Sequence, residues 1–168
     1  DGYIWKYLGV DKTTARAASE NDQNYIIYRL ADVLLMKAEA LIMQGHNEDA
    51  ADLIDRTRER AGLGETTLSD DRMVMLETLL VERQKEFFGE GKNWFDLLRI
   101  GLRSEQLNDT QYKTLFVEQA LKAVGASRQS LGRATLANSG SWYLPYSEDE
   151  LSKNPLLEQS DYYQSISN

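Results

Sequence analysis

Arg29-Leu-Ala-Asp-Val-Leu-Leu-Met-Lys-Ala-Glu-Ala-Leu41 decides how the rest of this chain is read. Across Asn24 to Gln44, apolar residues fall at Ile27, Leu30, Ala31, Leu34, Leu35, Ala38, Leu41 and Ile42, the spacing that places one broad stripe on an α-helix. A second, weaker stripe of Val33, Met36, Ala40 and Met43 runs around Arg29 and Asp32, which predicts a helix packed on two sides.

Working outward, Gly45 is placed to end this helix, Asn47 to cap the next, and Glu48 and Asp49 lie where carboxylates favour a helix N-terminus. The second helix carries Ala50, Leu53, Ile54, Thr57 and Ala61 on one face and stops at Gly62, giving an antiparallel hairpin. Ser69 is a cap for a third helix over 70–88 with Met73, Leu76, Leu80 and Phe87 inward. Gly89-Glu-Gly91 breaks it, and Trp94 to Ile100 reads as a further helical segment up to Gly101, with Trp94 and Phe95 in the core, hence a second hairpin.

The two hairpins share a weak internal likeness around Gly45 and Gly91, the form of helix–turn–helix stacking found in tetratricopeptide-like arrays. After Asp109 another amphipathic helix runs to about Val124 with Tyr112, Leu115, Phe116 and Ala120 inward. The segment 125–141, rich in Gly, Ser, Ala and Asn and without sustained periodicity, reads as a loop. Trp142 to Pro145 reads as extended, and Pro155 with Tyr162-Tyr163 suggests an irregular tail over the helices. The expected fold is all-α, a single domain over 1–168 of stacked helical hairpins with an irregular C-terminal wrap.

The composition narrows the function. The 168 residues carry 19 Lys and Arg against 27 Asp and Glu, a net charge of −8, so no nucleic-acid partner is expected. With no Cys there is no disulfide, thiolate metal site or catalytic thiol. No apolar run reaches the ~20 residues of a membrane span. His46 is the lone histidine, in a turn, so neither a Ser-His-Asp set nor a histidine-rich metal site is readable, and no phosphate-binding glycine motif occurs. No metal and no cofactor are expected.

Glu82, Arg83, Glu86, Asp96 and Arg99 form a charged cluster with two readings. Paired carboxylates are what glycoside hydrolysis requires; the alternative is that the arginines clamp those carboxylates and fix helix register. The second is preferred, so no catalytic residue is assigned. Aromatic residues are the candidate ligand contacts, because sugar rings lay apolar C–H faces on Trp and Tyr. Tyr3, Trp5 and Tyr7 alternate, so an extended segment presents them on one face, where they serve either as a ligand platform or as packing cover for the helices.

Four segments carry a resemblance: Arg29 to Leu41, Arg58-Glu-Arg-Ala-Gly-Leu63, Glu82-Arg-Gln-Lys-Glu-Phe-Phe-Gly-Glu-Gly-Lys-Asn-Trp-Phe-Asp-Leu-Leu-Arg99, and Tyr143-Leu-Pro-Tyr146 followed by Asn154-Pro-Leu156. Over about residues 25–163 the chain resembles the C-terminal portion of the SusD/RagB family of outer-membrane nutrient-binding lipoproteins. It departs in reading Leu144-Pro-Tyr-Ser147 for the usual Leu-Pro-Ile-Pro, and Ser160-Asp-Tyr-Tyr163 for the closing Asn-Pro-Gly-Tyr.

The resemblance implies a tetratricopeptide-like scaffold in which Arg29, Asp32, Glu39, Glu82, Arg83, Trp94, Asp96 and Arg99 are structural markers. It implies binding of an oligosaccharide or polysaccharide without catalysis, a SusC-like TonB-dependent outer-membrane transporter as partner, and lipid anchoring at the cell outer membrane. It also implies a longer parent protein, so apolar helix faces are expected to be left open and to drive self-association. A rival reading is a helical-repeat module that binds a protein or peptide.

Overall fold

The computed structural model describes residues 25–166, which form eight α-helices and one 3₁₀ turn, with no strand among them. The helices are α1 (Leu30–Gln44), α2 (Asn47–Arg60), α3 (Arg72–Glu86), α4 (Asn93–Leu107), α5 (Thr110–Leu121), α6 (Ala126–Leu136), α7 (Glu148–Lys153) and α8 (Asp161–Ile166). The 3₁₀ turn, Ser139–Trp142, lies between α6 and α7. The chain divides into two compact units, Asp1–Asp96 and Leu97–Asn168, with the boundary inside α4.

In the first unit α1 lies against both α2 and α3, and α2 also meets α3. Gly45 ends α1 as expected, in the left-handed region at φ 83°, with its N–H and that of His46 closing on Ile42 and Leu41. Leu35, Ala38, Ile42, Ala50, Ile54, Met75, Leu76 and Leu79 are completely buried. Each Leu, Ile or Met removed from water in this way contributes about 1.5–3 kcal/mol.

Several expected boundaries shift, each because a particular contact overrides local pattern. α1 starts at Leu30 and not at Asn24, because Arg29 is extended at φ −148° and the run before it is held by side chains of the α3–α4 turn. Ile27 and Leu30, expected inward, are about two-thirds exposed, whereas Asp32 and Glu39 are buried. His46, without a side-chain hydrogen bond, occupies the cap position assigned to Asn47; Asn47 donates instead to the Ser69 carbonyl at 2.8 Å. Asp71 caps α3 by accepting from the Met73 and Val74 N–H groups, and Ser69 supports that cap by accepting from the Asp71 N–H. Trp94 and Phe95 are not core: they sit on the exposed side of the first turn of α4, while the next residue, Asp96, is buried.

In the second unit α4 runs through Gly101 instead of stopping there. A Cβ at Gly101 would lie 3.0 Å from Phe116 and 3.1 Å from Trp142, so the glycine is a close-packing position within a helix. Phe116 and Trp142 meet with ring centroids 4.4 Å apart, and the Trp142 indole donates to the Leu136 carbonyl. Asp109 caps α5, whose buried residues include Tyr112, Leu115 and Phe116, as the periodicity indicated.

The segment 125–141 is not a loop: it holds α6 and most of the 3₁₀ turn. None of the residues of α6 is buried, so no apolar stripe marks it in the sequence. It is held by good helix formers, by the exposed Arg133–Glu118 ion pair to α5, and by Gly132, whose missing side chain lets Leu121 of α5 approach. The tail is tied at two points. The Tyr163 hydroxyl donates to the Tyr143 carbonyl at 2.8 Å, and the Gln159 side-chain amide satisfies both the N–H and the C=O of Tyr146.

Candidate functional site

Tyr3, Trp5 and Tyr7 lie outside the described residues. The side chains that the structure does bring together are the charged markers of α1 and α3, gathered around the turn from α3 to α4. Arg83, 3% exposed, donates from Nε and Nη2 to both oxygens of Asp96 at 2.7 and 2.9 Å, and from Nη2 to Asp32 at 2.9 Å. Asp32 is also paired with Lys92, whose ammonium donates to the Ile27 carbonyl at 2.6 Å.

Beside this set, Arg29 reaches Glu86 and Glu90, donating to the Glu90 carboxylate at 2.9 and 3.2 Å and to the Glu86 backbone carbonyl at 2.6 Å. Arg60 of α2 closes on Glu86 from the solvent side, and Arg58 joins Glu82 at 3.0 Å and the Gly64 carbonyl at 2.7 Å. Phe87, buried, lies beneath three cations: the Arg29 and Arg83 guanidiniums at 4.7 and 4.8 Å from its ring centroid and the Lys92 ammonium at 5.4 Å. Such contacts gain strength when desolvated, so the ring is an attractive floor for the cations.

Electrostatics follows from the geometry. Burial by itself disfavours the Asp32 carboxylate, but hydrogen bonds from Lys92 and Arg83 outweigh it and hold the group below its ordinary range. Burial likewise opposes the Arg29 charge, and the carboxylates of Glu90 and Glu86 override it, raising the pKa further above its usual value.

A glycosidase acid is made by placing a carboxyl in an apolar pocket where it keeps its proton. Here Asp32, Glu82, Glu86, Glu90 and Asp96 each face a guanidinium or an ammonium. The cluster that admitted an acid–base reading is a set of structural ion pairs joining α1, α2, α3 and the α3–α4 turn. His46 is exposed at the lip of a cavity of about 350 Å³ whose lining includes Ile42, Asn47, Leu68, Asp70 and Arg72. No group of side chains suited to holding a metal ion occurs among the described residues.

Sequence reasoning found Arg29, Asp32, Glu82, Arg83 and Asp96 but missed Phe87 as the floor and Glu90 and Lys92 as members. A signal was available for Glu90. A carboxylate between Gly89 and Gly91, both in the left-handed region at φ 79° and 72°, sits in a turn whose backbone is dictated, and that turn aims it inward.

Comparison with known proteins agrees with this arrangement. The model of the SusD family matches residues 2–163. Among curated proteins of Formosa agariphila, the chain is 37% identical to SusD-like protein P38 over 89 residues, which is 48% of this chain and 18% of that one. It is 36% identical to SusD-like protein P2 over 60% of this chain and 21% of that one, and 27% identical to SusD-like protein P25 over 95% and 28% respectively. A crystal structure of a SusD superfamily protein from Bacteroides fragilis superposes with a TM-score of 0.57 at 28% identity, covering 82% of this chain and 28% of that one. The chain thus spans between somewhat under a fifth and somewhat over a quarter of the length of these relatives. With a family match over nearly its whole length and an all-helical fold, the chain belongs to the SusD family.

Proposed function

We infer that this chain is part of a non-catalytic glycan-binding protein that serves an outer-membrane polysaccharide uptake complex. Membership of the SusD family is the observation that carries the reading. The ion-paired state of the carboxylates adds to it, because no described carboxyl group of the cluster stands in the apolar setting a glycosidase acid needs. The ligand is an oligosaccharide or polysaccharide, the partner a SusC-like TonB-dependent transporter, and the full-length protein is lipid-anchored at the cell outer membrane. Tyr3, Trp5 and Tyr7 are the ligand contacts this reading inherits from the sequence.

The test is a glycan-array screen of the chain and of Trp5→Ala, with hits measured by calorimetry. Binding that falls in the variant supports a platform at the N-terminal aromatics. A folded chain that binds no glycan overturns the reading for this portion of the protein.

A second reading, a surface for a protein or peptide, is favoured by one feature. Leu30, Val33 and Met36, three residues apart along α1, are 69, 53 and 41% exposed on the side away from α2 and α3. Apolar side chains in such a row fit a protein contact better than a sugar.

A further inference from the structure

Among the described residues of the first unit, Tyr25 and Tyr28 have the most exposed aromatic side chains, at 68 and 73%, yet neither is loose. The Tyr25 hydroxyl donates to the Glu90 carbonyl at 3.3 Å, and the Lys92 ammonium stands 5.0 Å from the centroid of the Tyr28 ring while it bonds the Ile27 carbonyl between the two tyrosines. Arg29 next in sequence is fixed by Glu86 and Glu90. Both side chains therefore meet the same turn, Glu90 to Lys92, on a segment held mainly by polar contacts, with Ile26 its one partly buried apolar side chain. Gly91, in the left-handed region at φ 72°, lies beside this contact, and a Cβ there would stand 3.5 Å from the Tyr25 hydroxyl, an ordinary van der Waals distance.

We propose that Tyr25 and Tyr28 form a carbohydrate-stacking pair, with neutral oligosaccharides as the ligand class. The proposal rests on the glycan-binding reading above and places a contact that the reading does not. A sugar ring needs an accessible aromatic face, and rings already fixed in place lose little freedom on binding, so affinity is not spent on ordering them. Three residues of extended chain put the two Cα atoms at most about 10 Å apart, and both side chains meet the turn from Glu90 to Lys92.

The ligand class follows from charge. The cations of the adjoining cluster, Arg29, Arg60, Arg83 and Lys92, are matched one for one by Asp32, Glu86, Glu90 and Asp96. The site therefore offers no net positive field, and the whole chain at −8 repels polyanions. Sulfated and uronate glycans are disfavoured on both counts.

The test is saturation-transfer NMR and calorimetry on the full chain with fragments of neutral α-glucan, β-glucan and xylan, and with a sulfated and a uronate oligosaccharide beside them. Tyr28→Ala, Tyr25→Ala and the double variant are compared with Tyr25→Phe and Trp5→Ala, and circular dichroism checks the helices of each. The expected result is a neutral glycan whose affinity falls about tenfold in each alanine variant and further in the double variant. Tyr25→Phe, which keeps the ring, retains most of it. Neutral-glycan binding that is unchanged in the double variant but lost in Trp5→Ala overturns the stacking pair and leaves the glycan-binding reading standing. Preference for the sulfated or uronate ligand overturns the ligand class. A folded chain that binds none of them overturns both, and a double variant that instead loses self-association marks the tyrosines as a protein contact and overturns the proposal.

Discussion

Arg83 and Asp32, 51 residues apart in sequence, meet at 2.9 Å with both side chains 3% exposed, and through them α3 is joined to α1. Asp96 takes the Nε–Nη2 edge of the same guanidinium, sharing Nη2 with Asp32. Removing one member of such a set leaves the others charged and buried, which costs about 3–5 kcal/mol. Arg83→Met is expected to lower the unfolding free energy by that order and the denaturant midpoint with it. Arg83→Lys is expected to recover little, since one ammonium cannot bridge two carboxylates with a planar fork. Urea unfolding of the two variants checks both statements, and a lysine variant as stable as the parent would contradict the geometry.

Asp32 also fixes a pH dependence. Because its folded pKa lies below the ordinary carboxylate value, the ionised form is the one the fold stabilises. That contribution is complete above the unfolded pKa near 4 and is lost as pH falls through the lower folded value. The window is acidic. Stability of Asp32→Asn should therefore differ most from the parent at neutral pH, and the two should converge as pH drops below about 4. Denaturation followed from pH 7 to pH 2 measures this, and a gap that widens on acidification reverses the sign.

Gly101 and Gly64 make a matched pair of tests. A methyl at Gly101 meets Phe116 and Trp142 at 3.0–3.2 Å inside the second unit, whereas nothing lies within 4 Å of one at Gly64. Overpacking of this kind costs about 1–3 kcal/mol. Gly101→Ala should lower the thermal midpoint by several degrees, while Gly64→Ala should be neutral or mildly stabilising through the unfolded chain.

Where the sequence spoke clearly, a buried stripe coincided with a local stop signal. Ala50, Leu53, Ile54 and Thr57 face inward on α2 as their spacing required, and Gly45 and Gly62 stand at its borders in the left-handed region. Tyr112, Leu115 and Phe116 on α5 behave the same way. Legibility ended where tertiary contacts replaced periodicity. Ile27 looked like the first apolar position of α1, but Lys92, 65 residues away, bonds its carbonyl and keeps the run extended. Gly101 carried the usual mark of a helix end and is instead a contact made possible by a missing Cβ. α6 has no buried face to be read at all. At the candidate site, the sequence named the arginines and carboxylates but not which pairs they form, because partners 50 or more residues apart are chosen by the packing of α1 on α3.

The outer row on α1 bears on the behaviour of the chain in solution. Leu30, Val33 and Met36 share one side of the helix, and apolar faces of this kind associate unless something covers them. Concentration-dependent self-association is expected in sedimentation velocity. Val33→Glu with Met36→Glu should abolish it without unfolding, because neither residue is buried. A monodisperse monomer at high concentration would count against the face as an interface.

Lys92 offers the closest test of how the segment before α1 is held. Its ammonium joins the Ile27 carbonyl, the Asp32 carboxylate and the Tyr28 ring, whereas Tyr25, Ile27 and Tyr28 stay 66–73% exposed. Polar contacts rather than apolar burial therefore dominate the hold, and local opening should be possible well below the cost of unfolding α1 to α3. In Lys92→Met, hydrogen exchange at residues 26–29 should speed up at least tenfold and chymotrypsin should cleave after Tyr25 or Tyr28. Amides in the middle of α1 and α3 should slow or quicken far less. If exchange rises equally across the helices, the segment and the helical core open as one unit, and the rings of Tyr25 and Tyr28 owe their position to the whole fold instead of to this one cation.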